Sequence, residues 1–123
     1  MKMSHLPGSL ANDPYTMMRK LDWSHAERVI ARKAFDLALR RELDEVILEA
    51  KTRAARIEQP SELWDLELYL SQRRKDIDQR YDYRYSVLPV VFGYLIRDGR
   101  LSKEELQGLS EDKLAYIARH AKI

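Results

Sequence analysis

The sequence predicts an all-α protein, an elongated molecule built on one long helix and paired as a homodimer. Three observations lead there. From Ser24 onward no glycine or proline occurs before Pro60, and the run is rich in Ala, Leu, Arg, Lys and Glu, residues that suit a helix interior. Apolar positions in that run recur at steps of three and four. No segment alternates with the two-residue period of a strand.

Taken in order, residues 1–22 read as a flexible N-terminal extension containing Pro7, Gly8 and Pro14, in which Pro14 to Leu21 could form one short helical turn. The rest, 23–123, reads as a single helical domain. Ser24 and Glu27 form a capping box, in which each side chain satisfies the other's free backbone N–H. The helix they open is expected over 24–58. Ile30, Ala34 and Leu37 make one stripe on it, and Phe35, Leu39, Leu43, Val46, Ala50, Ala54 and Ile57 make another. Such a helix is about 50 Å long, whereas a compact chain of this size is about 35 Å across. It overhangs its own domain, so a second copy packing along Phe35, Leu39, Leu43, Val46 and Ala50 is expected to cover the stripe.

Pro60 separates the first helix from the second, with Ser61 expected as cap and Leu63, Leu66, Leu70, Ile77 and Tyr81 as the core face. "RYDYRYS" ends it near Tyr81. Ser86 is expected to cap a third helix, "VLPVVFGYLIR", with Pro89 in its first turn. This helix is apolar nearly all round and belongs in the core. Asp98-Gly99 ends it. Ser102 and Glu105 give a second capping box for a short helix ending near Gly108. Ser110 opens the last helix, whose buried side holds Leu114, Ile117 and Ala118 or Ala121.

Composition excludes much. The 123 residues carry 22 basic and 20 acidic side chains, a net charge of +2, without the basic excess of a nucleic-acid binder. There is no cysteine, hence no disulfide and no thiolate metal site. His5, His25 and His120 have no second ligand at metal spacing. Glycines are scattered, so no phosphate loop forms, and carboxylates one or two apart do not share a helix face. The expectation is a non-enzymatic protein with no catalytic residues, no cofactor and no metal, no nucleic-acid or membrane partner, and a cytoplasmic location.

The second helix leaves residues over. The stretch "LWDLELYLSQRRKDIDQRYDYRYS" mixes aromatic and basic side chains, which first suggests single-stranded nucleic acid. Helical spacing and near-neutral charge argue against that. Trp64 and Leu68 remain at i, i+4 beside the core face. They either fill a gap within one subunit or anchor an interface, since Trp, Tyr and Arg dominate binding hot spots. Arg73, Arg74 and Lys75 either pair with Asp76 and Asp78 in solvent or touch a partner.

Several separated motifs, "WSHAE", "RRELDEVI", "LWDLELYLSQRRKDIDQRYDYRYSV" and "LIRDGRLSKEELQGLSEDK", together resemble the fluorescence recovery protein family from Trp23 to the C-terminus. The resemblance implies an all-helical homodimer, with a long stalk helix and a small C-terminal helical head, that binds the photoactivated orange carotenoid protein, through that protein's C-terminal domain, and speeds its return to the inactive orange state. Such action favours one conformation of a partner over another. The resemblance implies partner-binding residues Trp64, Glu67, Leu68, Arg74, Phe92, Lys113 and Tyr116, with Trp64 and Arg74 also at the dimer interface. Arg41, Glu42 and Leu43 match the family's stalk motif, and Tyr81, Asp82, Arg84 and Ser86 its junction signature. Two positions depart from the pattern. Leu68 stands where an aspartate is expected, and Tyr116 where a basic residue is expected. The alternative is therefore a dimeric helical interaction module whose partner is not an orange carotenoid protein.

Overall fold

The computed structural model describes residues 22–122. The expected extension over 1–22 lies, except for Asp22, outside the described residues. Helix α1 runs His25–Ala55 without interruption. Ser24 Oγ accepts from Glu27 N–H at 3.1 Å, and the Glu27 carboxylate accepts from Ser24 N–H at 3.0 Å. Helix α2, Pro60–Arg80, returns antiparallel along α1. Their order is fixed by Arg53 stacking on Tyr69 and by Glu42 meeting Arg73 and Arg80.

The cap of α2 is Gln59 and not Ser61. Proline has no N–H and a φ already suited to the first helical position, so the helix starts at Pro60 itself. Glu62 then closes the end by accepting from the N–H groups of Gln59 and Glu58 at 2.8 and 3.0 Å. Helix α3, Leu88–Arg97, starts after Val87 and has no side-chain cap. Ser86 does not take that role, because the Arg84 carbonyl already accepts from Val87 and Leu88 N–H. A 3-10 turn, Lys103–Leu106, is capped by Ser102 and Glu105 as expected. Helix α4, Glu111–Ala121, is capped by Ser110.

The core gathers at one end. Leu88, Phe92, Leu95 and Leu106 are fully enclosed, with Ala31, Phe35, Ala38, Val91 and Ile117 beside them. Each large side chain contributes about 1.5–3 kcal/mol of burial. This is the head: α3, the 3-10 turn and α4 packed on the N-terminal half of α1. Arg41 ties the 3-10 turn to α1, with both guanidinium arms on Glu105 at 2.8 and 2.6 Å. The C-terminal half of α1 and most of α2 project from the head as a two-helix stalk.

Burial corrects three expected site residues. Phe35, placed at the dimer interface from its stripe, is 5% exposed inside the protomer. "RYDYRYS" folds back over α1 and sets Tyr81 and Tyr83 edge-on to its ring at 5.5 and 4.8 Å. Phe92 and Lys113, placed at a partner surface, are 0% and 2% exposed, so neither side chain is presented to a partner. The expected core face of α2 is also corrected. The side turned to α1 is Leu66, Tyr69, Arg73, Ile77 and Arg80, at helical steps of three and four. Only Ile77 is fully buried there, while Leu63 and Leu70 stand 47% and 37% exposed.

Candidate functional site

At ~100° per residue, α2 carries two further stripes beside the one facing α1. Leu63, Glu67, Leu70 and Arg74 form the first, and Trp64, Leu68 and Lys75 the second. Trp64 is 62% and Leu68 57% exposed, so Trp64 fills no gap within the subunit. Leu43, Ile47 and Leu48 are exposed on the adjoining part of α1. A monomer rarely leaves this much apolar side chain in water over one short region.

Between the helices lies a groove of about 400 Å³ lined by Leu39, Leu43, Val46, Leu70, Arg73, Arg74, Ile77 and Asp78. Leu39, Val46 and Ala50 are half-buried in the protomer. Arg73 and Arg74 are neighbours with different roles. Arg73 turns inward to Glu42 at 2.8 Å. Arg74 is exposed, and no hydrogen bond or ion pair engages it among the described residues. Arg74 lines an apolar groove, and the exposed indole of Trp64 lies about 15 Å further along the same helix; Trp and Arg are the residue types of protein-binding hot spots. Among the described residues there is no cluster of metal-binding side chains, and no helix is long and apolar enough to cross a membrane.

Behind this surface sits a residue whose role the spacing alone did not reveal. Glu42 is 0% exposed. Its carboxylate accepts from Tyr81 Oη and Arg73 at 2.8 Å and from Arg80 at 3.3 Å, and it lies 3.2 Å from Arg100 Nε. Arg100 also holds Glu45 at 2.9 and 3.2 Å. One buried anion thus joins α1, α2, the junction and the loop after α3, and fixes how the stalk meets the head. Burial, with the Glu42 carboxylate beside it, raises the Tyr81 phenol above its ordinary range. The warning sign was present: Ala31, Ala34, Ala38 and Glu42 follow one helical stripe, and a charge on a core stripe needs partners.

Lys113 makes a second buried pair, with Glu27. Its ammonium donates to the Asp22 carbonyl, lies 3.2 Å from Glu27 and sits 4.9 Å over the Trp23 ring. Burial pushes the Glu27 carboxyl up. The N–H groups of Ser24 and Ser110 and the Lys113 ammonium outweigh it and bring it down to about 2. Glu105 is likewise held at about 2 by Arg41 and by Ser102 N–H. Both carboxylates bind protons less readily when folded than when unfolded. Their stabilisation is therefore complete above the ordinary carboxylate range and is lost as pH falls from 4.5 toward 2. Urea midpoints should be level near neutrality and drop across that window, and Glu27→Gln should flatten the drop. Burial also removes Tyr116 from the expected partner surface: it is 9% exposed, among the buried residues of the head, with the Arg119 guanidinium 5.3 Å over its ring.

Residues 23–121 match the sequence model of the family described as photoprotection regulator fluorescence recovery protein. Over 101 residues the chain is 39% identical to the fluorescence recovery protein of Synechocystis sp., covering 82% of this chain and 93% of that one. The solved fluorescence recovery protein of Fremyella diplosiphon is 39% identical, with a TM-score of 0.78 over 83% of this chain and all (100%) of that one. That of Synechocystis sp. PCC 6803 is 38% identical, with a TM-score of 0.79 over the same shares, 83% and 100%.

Proposed function

The chain belongs to the photoprotection regulator fluorescence recovery protein family, and from that premise we propose that it is a non-enzymatic homodimeric regulator that binds photoactivated orange carotenoid protein and speeds its return to the inactive state. The observation that carries this reading is the exposed set Leu63, Trp64, Leu68 and Leu70 on the same helix as Arg74, which no hydrogen bond or ion pair engages among the described residues. The surface offers apolar area for association and a cation for orientation, and it holds no group arranged for bond chemistry. Regulation then follows from binding one state of the partner more tightly than the other, because a ligand shifts an equilibrium only by its differential affinity.

The homodimer is part of the proposal. The groove lined by Leu39, Leu43, Val46 and Leu70 lies where a second stalk would cover it, and Trp64 and Arg74 border that contact and extend beyond it. Glu67 is exposed on the same stripe as Arg74 and belongs to the proposed partner surface, as does Leu68.

The test is to add the dimer to photoactivated orange carotenoid protein and follow the red-to-orange decay in the dark. Acceleration is expected, and no acceleration at excess dimer rejects the reading. Arg74→Ala should leave the fold and the dimer mass unchanged while slowing recovery about tenfold or more, the ~1.4 kcal/mol or greater loss of a hot-spot contact. Loss of the dimer in that variant would make Arg74 a structural residue. One observation favours the second reading, a dimeric interaction module for a different protein: Leu68 puts an apolar side chain, 57% exposed, at the centre of the surface. Under that reading the protein is dimeric but leaves the decay unchanged.

A further inference from the structure

We infer that the contact between α3 and α4 in the head is a proton-sensitive latch, closed while His120 is neutral and loosened when its ring takes up a proton. The inference is independent of the stalk surface and of the partner proposed for it.

The geometry begins at Gly93. A Cβ there would sit 2.6 Å from His120 Cβ and 2.9 Å from the Ile117 carbonyl oxygen, so the two helices touch backbone to backbone at this level. Such a contact leaves no slack for an altered side chain to repack. The His120 ring stands edge-on to Tyr94, with centroids 6.3 Å apart. Its Nε2 is buried and has no hydrogen-bond partner among the described residues.

A neutral imidazole can leave one nitrogen bare, but an imidazolium carries N–H on both. Protonation would therefore bury an unsatisfied charged donor, which costs more than an unpaired neutral nitrogen. The surroundings add to that cost. From α3 the facing groups are the Tyr94 ring and the Arg97 guanidinium, which lies 4.8 Å over that ring. Arg119 and Lys122 are on its own segment. Asp98, the carboxylate at the end of α3, is shared between Arg97 and Arg80 at 3.8 and 3.9 Å. Burial first, and then Arg119, push the ring below its ordinary value of 6.5. The unfolded or opened state takes the proton more readily, so the latch is fully closed above 6.5 and weakens as pH falls from there through the folded value. This window lies above that of Glu27 and Glu105, and the two can be separated.

The test uses the full chain. Titrating the histidine ring signals by NMR should give His120 a midpoint below 6.5. Amide protection factors should fall in α3 and α4 between pH 7.5 and 5, while those in the stalk half of α1 stay level. Opening should become about tenfold more frequent for each unit of depression. His120→Gln, which cannot titrate, should remove the change. A His120 midpoint at or above 6.5, or the same pH-dependent loss of protection in His120→Gln, overturns the latch. Should His120→Gln fail to fold, the titration of the unaltered protein still decides.

Discussion

Replacing Glu42 by alanine should destabilise the protein by about 3–5 kcal/mol, the range seen when one partner of a buried ion pair is removed. The reason is what the substitution leaves behind. Arg73, Arg80 and Arg100 converge on a carboxylate that is 0% exposed, and without it three guanidinium groups crowd one partly enclosed space. The Tyr81 hydroxyl, which donates to Glu42 at 2.8 Å, loses that acceptor as well. Glu42→Gln should cost less, because the amide keeps the shape and one acceptor oxygen. Glu45→Ala is the control. Glu45 also pairs with Arg100, but its side chain is 60% exposed, and an exposed pair is worth at most about 1 kcal/mol. Urea denaturation of the three variants gives the ranking. Equal losses for Glu42→Ala and Glu45→Ala would show that the hub contributes no more than a surface pair.

Val46→Arg should turn the proposed dimer into monomers at micromolar concentration, weakening association on the order of a hundredfold or more. Val46 lines the groove that also holds Arg73 and Arg74. A third cation there would be desolvated by the second stalk, and burying a charge that lacks a counter-ion costs several kcal/mol, each 1.4 kcal/mol being tenfold in affinity. Arg73 is already paired with Glu42, so Asp78, the anion lining the groove, would face both Arg74 and the new guanidinium. Light scattering should read twice 14.6 kDa for the unaltered chain and 14.6 kDa for the variant. Val29→Arg, on α1 at a site 56% exposed and outside the groove, should leave the mass unchanged. A monomer in the unaltered chain would overturn the proposed dimer and require another account of the exposed leucines.

Much of the fold was legible because its signals are local. The capping boxes at Ser24 and Ser102 each involve residues three apart, and both close as the spacing implies. The long helix follows from the absence of breakers. The apolar helix at 88–97 reads as core, and Leu88, Pro89, Val91, Phe92 and Leu95 are buried, while Tyr94 is exposed. Two caps were misplaced, where Pro60 and the Arg84 carbonyl supplied what a serine was expected to supply. The larger misreading was the rotation of α2. Its leucines suggested a face through Leu63, Leu66 and Leu70, whereas the side against α1 includes Tyr69, Arg73 and Arg80. Those long side chains bury their stems and carry their polar ends to Glu42 or the helix edge, which hydrophobic spacing does not register.

Glu27, Glu42 and Lys113 follow the same logic. Each occupies a helical stripe otherwise made of buried residues: Glu27 and Glu42 with Ala31, Ala34 and Ala38, and Lys113 with Ile117 and Ala121. The sequence therefore marked them as charges on core faces. It could not name their partners, since Lys113 meets Glu27 across 86 positions and Tyr81 meets Glu42 across 39. By itself the sequence determined the helices, most of their ends and the motifs that carry the family, because these depend on interactions within a few residues. Only the tertiary structure decided which face of α2 turns inward, that Arg73 rather than Arg74 meets Glu42, and that Phe92 and Lys113 lie inside the head. Those outcomes depend on the rotation of one helix against another, and that rotation is set by contacts between residues far apart in the chain.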